Sequence, residues 1–246
     1  MKFDKDHFNH LKDSYREVGC KINDRDDFML TELESSLSLF HQESPLEFMA
    51  RPIDVDVFAV LAGISFENTF LSLIDSIHMK LLEIIKDNRF YLVEPKNLGV
   101  EYAVLKWPKD KHDPKIIEQA LNILDDFKGD TFYLKVFGIQ VHTDGCIILK
   151  CVDQRQSIFK LRKTLMSCVE NIPKKQSNWV HIPLGRILSP IGKSGMVDLK
   201  ALLAEIDNEL DYDIFIENVH VVHEKTWYME KKSYLSTKKL KNVNGL

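Results

Sequence analysis

Phe8, Leu11, Tyr15 and Val18 recur at the spacing of one helix face, which predicts a first helix ahead of the polar, largely acidic run Asn23-Asp24-Arg25-Asp26-Asp27. Leu33, Leu37 and Phe40 share a face in a shorter second helix over 30–40. Pro45 and Pro52 then break the pattern. From Ile53 the period changes. Val55-Asp56-Val57-Phe58-Ala59-Val60 reads as a strand, and Leu73, Ile77, Leu81, Ile84 and Ile85 as a helical stripe. A strand over 100–107 stops at Pro108. Pro114 opens a helix whose face is Ile117, Ala120, Leu121 and Leu124. Two β-rich runs, 132–141 and 146–152, flank His142-Thr143-Asp144-Gly145, a hairpin signal through Asp-Gly. Ile158, Leu161, Leu165 and Val169 give another helix, and the stretch from Trp179 to Leu188 another strand. Asp198 is expected to cap a helix bearing Leu199, Leu202, Leu203 and Ile206. Residues 214–222 form a last strand, and the basic stretch from Lys231 is expected to fray.

The elements after residue 50 run β-α-β-α-β-β-α-β-α-β, a pattern that repeats when read in halves. It predicts an α+β fold, a two-lobed strand-helix duplication around a central cleft. A helical N-terminal extension occupies 1–50 and the main domain 51–246. The 246 residues suit one large domain with an extension.

Apolar content of 44% and charged content of 28% are ordinary for a globular chain. A formal net charge of −4 argues against binding nucleic acid through bulk charge, though a local basic cleft remains compatible with it. The apolar runs are short and interrupted, so no membrane partner is expected. The first six residues carry no apolar stretch. Cys20, Cys146, Cys151 and Cys168 form no C-x-x-C pair, so free thiols in the cytoplasm are expected.

The candidate chemistry centres on Trp179-Val180-His181-Ile182-Pro183-Leu184-Gly185-Arg186-Ile187, which places one histidine in a strand that otherwise reads as core. Together with Pro95-Lys96-Asn97-Leu98-Gly99-Val100-Glu101-Tyr102-Ala103-Val104-Leu105, it resembles the two motif strands of the two-histidine phosphoesterase superfamily, the 2′-5′ RNA ligase-like and cyclic phosphodiesterase-like proteins. The resemblance covers about three quarters of the chain, from roughly Val57 to Leu235. It implies two lobes, each presenting a His-x-Thr/Ser motif to a shared cleft. The separation of positions 99 and 181 suits the family, as does the hairpin between the motifs. The signature is degenerate: Gly99 stands for the first histidine, Glu101 for the first hydroxyl and Pro183 for the second hydroxyl. His181 alone is kept.

Cyclic phosphodiester hydrolysis by the family's design needs one imidazole to take a proton and another to give one. Two hydroxyls orient the phosphoryl oxygens. Losing a general acid or base costs on the order of 10²–10⁴-fold in rate. By strand alternation Glu101 shares a face with position 99 and is expected in the cleft, where it could serve as base opposite His181 as acid. A carboxylate there also repels a phosphodiester. His181 and Glu101 are thus the candidate catalytic residues, and the resemblance puts His142, Gly99 and Tyr102 at ligand-binding positions. His181 equally fits a satisfied core histidine, and Glu101 an edge carboxylate. Arg186 is expected on the strand face opposite His181. His220 and His223, three apart on a strand, cannot chelate one metal together. Gly192-Lys193-Ser194-Gly195 lacks the spacing of a phosphate loop. No metal or cofactor is implied. Three functions stand open: a degenerate cleft binding a nucleotide, cyclic phosphate or short RNA end; a divergent phosphodiesterase using His181 with Glu101 or His142; and a scaffold binding a protein partner through residues 1–50.

Overall fold

The computed structural model describes residues 5–28, 30–42, 48–63 and 66–241. Met1 to Asp4 and the breaker Pro45 lie outside the described residues. Two helices come first, α1 (Lys5–Asn23) and α2 (Leu30–Leu37). The main body then runs β1 (Asp54–Ala62), α3 (Asn68–Ile85), β2 (Phe90–Leu92), β3 (Val100–Lys106), α4 (Pro114–Asp126), β4 (Phe132–Val141), β5 (Cys146–Asp153), α5 (Ser157–Cys168), β6 (His181–Ile187), α6 (Lys193–Glu209), β7 (Tyr212–Ile216), β8 (Asn218–Thr226) and β9 (Lys231–Lys239). A 3-10 turn, Pro95–Asn97, precedes β3, and another, Trp227–Met229, links β8 to β9.

The strands form two antiparallel sheets, in the orders β3-β1-β8-β9 and β2-β6-β5-β4-β7. Helices α4 and α5 pack on the first sheet, and α6, paired with α3, packs on the second. One continuous apolar core runs beneath both sheets. The expected α+β architecture of two lobes is therefore present.

Local sequence explains most element boundaries. Pro114 fills the first turn of α4, where no N–H is needed. Asp113 caps it, its Oδ1 accepting from Lys115 N at 3.0 Å, a bond type worth about 1 kcal/mol. Ile116, Ala120 and Leu124 form the buried stripe. At the hairpin, Gly145 has φ +81°, and a Cβ there would stand 2.0 Å from Ile187 O at the end of β6. Gly145→Ala is therefore expected to destabilise the fold by at least about 2 kcal/mol, read as a lower urea midpoint.

Three expectations need correction, and one strand, β2, was not foreseen. The run 214–222 is two strands, since the chain turns at Glu217 and β8 leaves β7's sheet for β1. The short β2 carries too few residues to show a period. The basic stretch from Lys231 is not frayed: it is edge strand β9, paired with β8 from Asn218↔Lys239 to Thr226↔Lys231. Lysines suit an edge, where one side of the ladder faces water. Asp198 lies inside α6 rather than at its cap. The helix starts six residues earlier because Gly192 is a tolerated N-cap and the first turn accepts Gly195.

Candidate functional site

Strand β6 carries the retained histidine, and its register decides what joins it. Ile147 pairs with Gly185 but Ile148 with Pro183, so Leu184 is an extra residue in a β-bulge. Leu184 and Gly185 are consecutively buried, whereas His181, Pro183 and Arg186 are partly exposed. The bulge shifts the alternation by one, and Arg186 shares the face of His181, contrary to the simple two-residue period. Gly185 permits the bulge beside β2, since a Cβ there would stand 2.3 Å from Tyr91 O.

Arg186 is held on three sides. Its Nε donates to Tyr228 Oη, and its Nη1 to Ser36 Oγ and, at 2.8 Å, to Asp144 Oδ2. Burial works to raise the Asp144 carboxyl, but the Arg186 guanidinium overrides it and holds the group below its ordinary value. Tyr228 and Met229 both have positive φ, 60° and 56°. Two successive non-glycine residues in the left-handed region store strain, offset here by Tyr228 stacking on Phe40 at 5.9 Å and meeting Tyr91 at a tilt, 4.8 Å away.

His181 is surrounded by protein yet partly accessible, and among the described residues its ring makes no hydrogen bond. Burial pushes its pKa down to about 4, and the nearby His142, Arg162 and Arg186 add to this. The imidazole is therefore neutral at pH 7. His142 is not at a free hairpin tip. With the Gln140 amide oriented to satisfy both its ends, that residue accepts from His142 Nε2 at 3.1 Å and from Gly19 N at 3.2 Å, and donates to Tyr15 O at 3.0 Å. Burial lowers the His142 pKa as well. The His142 ring meets Trp179 edge-on at 5.2 Å, and Trp179 meets His181 in the same way at 6.4 Å.

Glu101 lies on edge strand β3, opposite Leu61 of β1. Burial raises its carboxyl pKa, with Arg162 opposing. Arg162, on α5 and only 6% exposed, laces the two motif strands together. It donates to the backbone carbonyls of Glu101 (3.0 Å) and Tyr102 on β3, and of Ser177 (2.6 Å) and Trp179 (3.4 Å) ahead of β6. Glu101 and His181 thus flank one guanidinium, and no hydrogen bond joins them among the described residues. Through the register Glu101 shares a sheet face with a second carboxyl, Glu224 on β8, and the two interact electrostatically. Burial pushes Glu224 up to about 7, even though it accepts from Met229 N at 2.9 Å, and Glu101 adds repulsion. The sequence reading missed Glu224. Its one signal was its place two residues after Val222 in an alternating strand, on the face where Ala59, Leu61, Val222 and Met229 form a small satellite cluster.

Tyr102 does not line the cleft. As the neighbour of Glu101 it points to the opposite side of β3 and is 1% exposed in the main core. Gly99 is buried between the 3-10 turn and β3. His220 bonds Thr237 Oγ1 at 2.9 Å, while His223 bonds Asp56 Oδ1 at 2.7 Å and stacks on Phe58 at 4.2 Å. The two therefore point to separate partners. Among the described residues no group of His, Cys, Asp and Glu could hold a metal ion.

Helices α1 and α2 lie on the sheet face that carries His181. Cross-strand pairs put Gly138, Gln140, Ile148, Lys150, Pro183 and His181 on that face. Tyr15 of α1 donates to Val180 O and packs on Trp179 at 5.1 Å and Phe137 at 5.8 Å. A groove of about 730 Å³ runs beside α1, lined by Lys12, Arg16, Gln140, Lys150, Lys200 and Asp207 among others; neither His181 nor Glu101 lines it.

No family model matches the chain, and no curated protein matches it in sequence. Solved structures do match. TT0787 of Thermus thermophilus is 12% identical with a TM-score of 0.52, covering 76% of this chain and 99% of its own. The protein ATU0111 of Agrobacterium tumefaciens is 15% identical at 0.57, over 75% and 86%. LigT of E. coli in apo form is 12% identical at 0.52, over 76% and 99%, and LigT complexed with 3′-AMP gives 12% at 0.50 over the same shares. At these identities the likeness is one of fold, the fold shared by LigT, TT0787 and ATU0111.

Proposed function

We propose that this chain is a degenerate two-histidine phosphoesterase-like protein. Its cleft binds a nucleotide, a cyclic phosphate or an RNA end, and its catalysis is lost or much reduced. The observation that carries this reading is the single polar face of β6. His181 offers a neutral imidazole, and Arg186 a guanidinium whose Nη2 makes no hydrogen bond among the described residues. A neutral imidazole and a positive fork suit a phosphoryl group. The fold is shared with LigT, which has been solved with 3′-AMP.

The same geometry disfavours turnover. One imidazole fills one proton-transfer role. Gly99 offers no second, and Pro183 no hydroxyl. Glu101 shares its sheet face with Glu224, and wherever either carboxyl ionises it repels an anionic phosphodiester. His142 is engaged with Gln140 beneath α1. The divergent-enzyme reading through Glu101 or His142 is therefore the weaker one. So is the scaffold reading, because Leu11, Tyr15, Ile22, Phe28 and Leu33 bury their apolar surface against this chain itself. No helix among the described residues is long and apolar enough to cross a membrane. The four cysteines are free, which suits a reducing compartment such as the cytoplasm.

Calorimetric titration with 3′-AMP tests the reading. The wild-type chain is expected to bind, and His181→Ala to bind at least about tenfold more weakly, the loss of one hydrogen bond to a charged group. Incubation with 2′,3′-cyclic AMP should give no turnover above background. Hydrolysis that disappears in His181→Ala would establish the enzyme instead, and a wild-type chain blind to 3′-AMP would remove the nucleotide site.

A further inference from the structure

The three partners of the Arg186 guanidinium differ in kind. Tyr228 Oη accepts from Nε, and Ser36 Oγ accepts from Nη1. Both are neutral. Ser36 is fully buried on α2 and is fixed in turn by donating to Asp144 O. The third partner is the Asp144 carboxylate, whose Oδ2 accepts from the same Nη1 at 2.8 Å. It is the one carboxylate that pairs with Arg186 among the described residues. Its side chain is 37% exposed against 15% for Arg186, so it lies on the solvent side of the pair.

Neither member of the pair needs the other for its position. Tyr228 and Ser36 hold two different nitrogens and so fix the guanidinium plane. The hairpin closes on its own bonds: Cys146 N donates to Asp144 Oδ1 at 3.1 Å, and Gly145 N to His142 O at 2.9 Å. What the pair does is cancel charge. With Asp144 gone, Nη1 regains an N–H next to Nη2, whose own N–H groups have no partner among the described residues. Two neighbouring nitrogens with open N–H groups form the fork that a phosphoryl group takes with two oxygens. A carboxylate offers the same charge and the same oxygens.

From this arrangement we infer that Asp144 is an internal competitor: its carboxylate occupies the Arg186 fork in the free chain, and a phosphoryl anion competes with it for that place. The inference rests on the reading of the His181 face as a phosphoryl site. A ligand reaching Arg186 must displace an anion already there or sit beside it, and either lowers its affinity. Asp144 therefore sets how strongly the face takes an anion. Tyr228 and Ser36 stay on the guanidinium throughout, so the fork keeps its orientation when its charged partner changes.

Titration of the full chain with inorganic phosphate tests the competition without a nucleoside. Asp144→Asn removes the charge and keeps an oxygen for Cys146 N. It is expected to bind phosphate at least about tenfold more tightly than the wild type. The guanidinium signals of Arg186 in NMR should move as phosphate is added. A carboxylate with a purely structural role gives the opposite, a less stable chain with unchanged or weaker phosphate binding. That result, or a gain that leaves the Arg186 signals still, would overturn the inference. Asp144→Ser, which also offers Cys146 N an acceptor, repeats the comparison if the asparagine chain does not fold. Failure of both to fold would assign Asp144 to the scaffold and overturn the inference as well. A parallel titration with 3′-AMP separates the competition from the nucleotide reading. Tighter phosphate binding by Asp144→Asn, with neither chain preferring 3′-AMP to phosphate, would leave the competition standing and remove the nucleotide. Wild-type binding of 3′-AMP, with phosphate affinity equal in the two chains, would keep the nucleotide reading and remove the competition.

Discussion

Arg162→Met is expected to cost about 3–5 kcal/mol of stability, the largest loss of any single substitution considered for this chain. The side chain is buried, and its guanidinium reaches four backbone carbonyls from the segments leading into and through the two motif strands. A methionine of similar length fills the space but supplies no donors, so the carbonyls of Glu101, Tyr102, Ser177 and Trp179 lose these partners together. Arg162→Lys reaches one or two of them and should recover part of the loss. Urea unfolding of the three chains measures the series. If the methionine variant is as stable as the wild type, Arg162 does not hold the two lobes together, and the cleft must owe its shape to side-chain packing alone.

The second large effect depends on pH. Glu224 is held at about 7 by burial, with Glu101 adding repulsion, against an ordinary glutamate value near 4.5. The folded chain therefore keeps a proton that the unfolded chain releases. Stability falls as pH rises from about 4.5 to 7, and above pH 8 the full cost is present, on the order of 3 kcal/mol. Glu224→Gln keeps an oxygen to accept from Met229 N but carries no charge. It is expected to match the wild type near pH 4 and to exceed it by about 2–3 kcal/mol at pH 8. A stability difference that stays constant from pH 4 to 8 would show that Glu224 titrates normally. His181 acts with the opposite sign. Its folded value of about 4 lies below the ordinary 6.5, so its contribution is present above pH 6.5 and is lost as pH falls toward 4.

Periodicity made most of the scaffold legible. The apolar stripes of α1, α3, α4 and α5 and the Asp-Gly hairpin between β4 and β5 fall where the pattern puts them, because local sequence and tertiary burial agree there. The motif strands were legible as positions. What they do was less so. Strand alternation assigns Arg186 to the wrong face, since one bulge residue, Leu184, is invisible in a two-residue period. Tyr102 is claimed for the core by the same alternation that turns Glu101 toward Glu224. Strand β9 was hidden because an edge strand needs no apolar face and its lysines read as a solvated tail. Glu224 becomes conspicuous only through long-range burial, which no local window contains. The position of α1 over β4–β6 follows from Tyr15 meeting Val180, residues far apart in the chain.

Strand β9 also bears on how copies of the chain meet. It is one outer margin of its sheet, and its row of free amides and carbonyls would otherwise invite a neighbouring molecule to add a strand. Lys231, Lys232, Lys238 and Lys239 line that margin, and among the described residues none of them forms an ion pair with a carboxylate. Lys232 and Lys238 bond instead to Asn97 Oδ1 and Asp125 O. Two such margins brought together repel one another, which opposes strand addition between copies at modest ionic strength. Concentrated salt shortens the reach of that repulsion to about 3 Å at 1 M, so any self-association through β9 is expected in concentrated salt and not in dilute buffer.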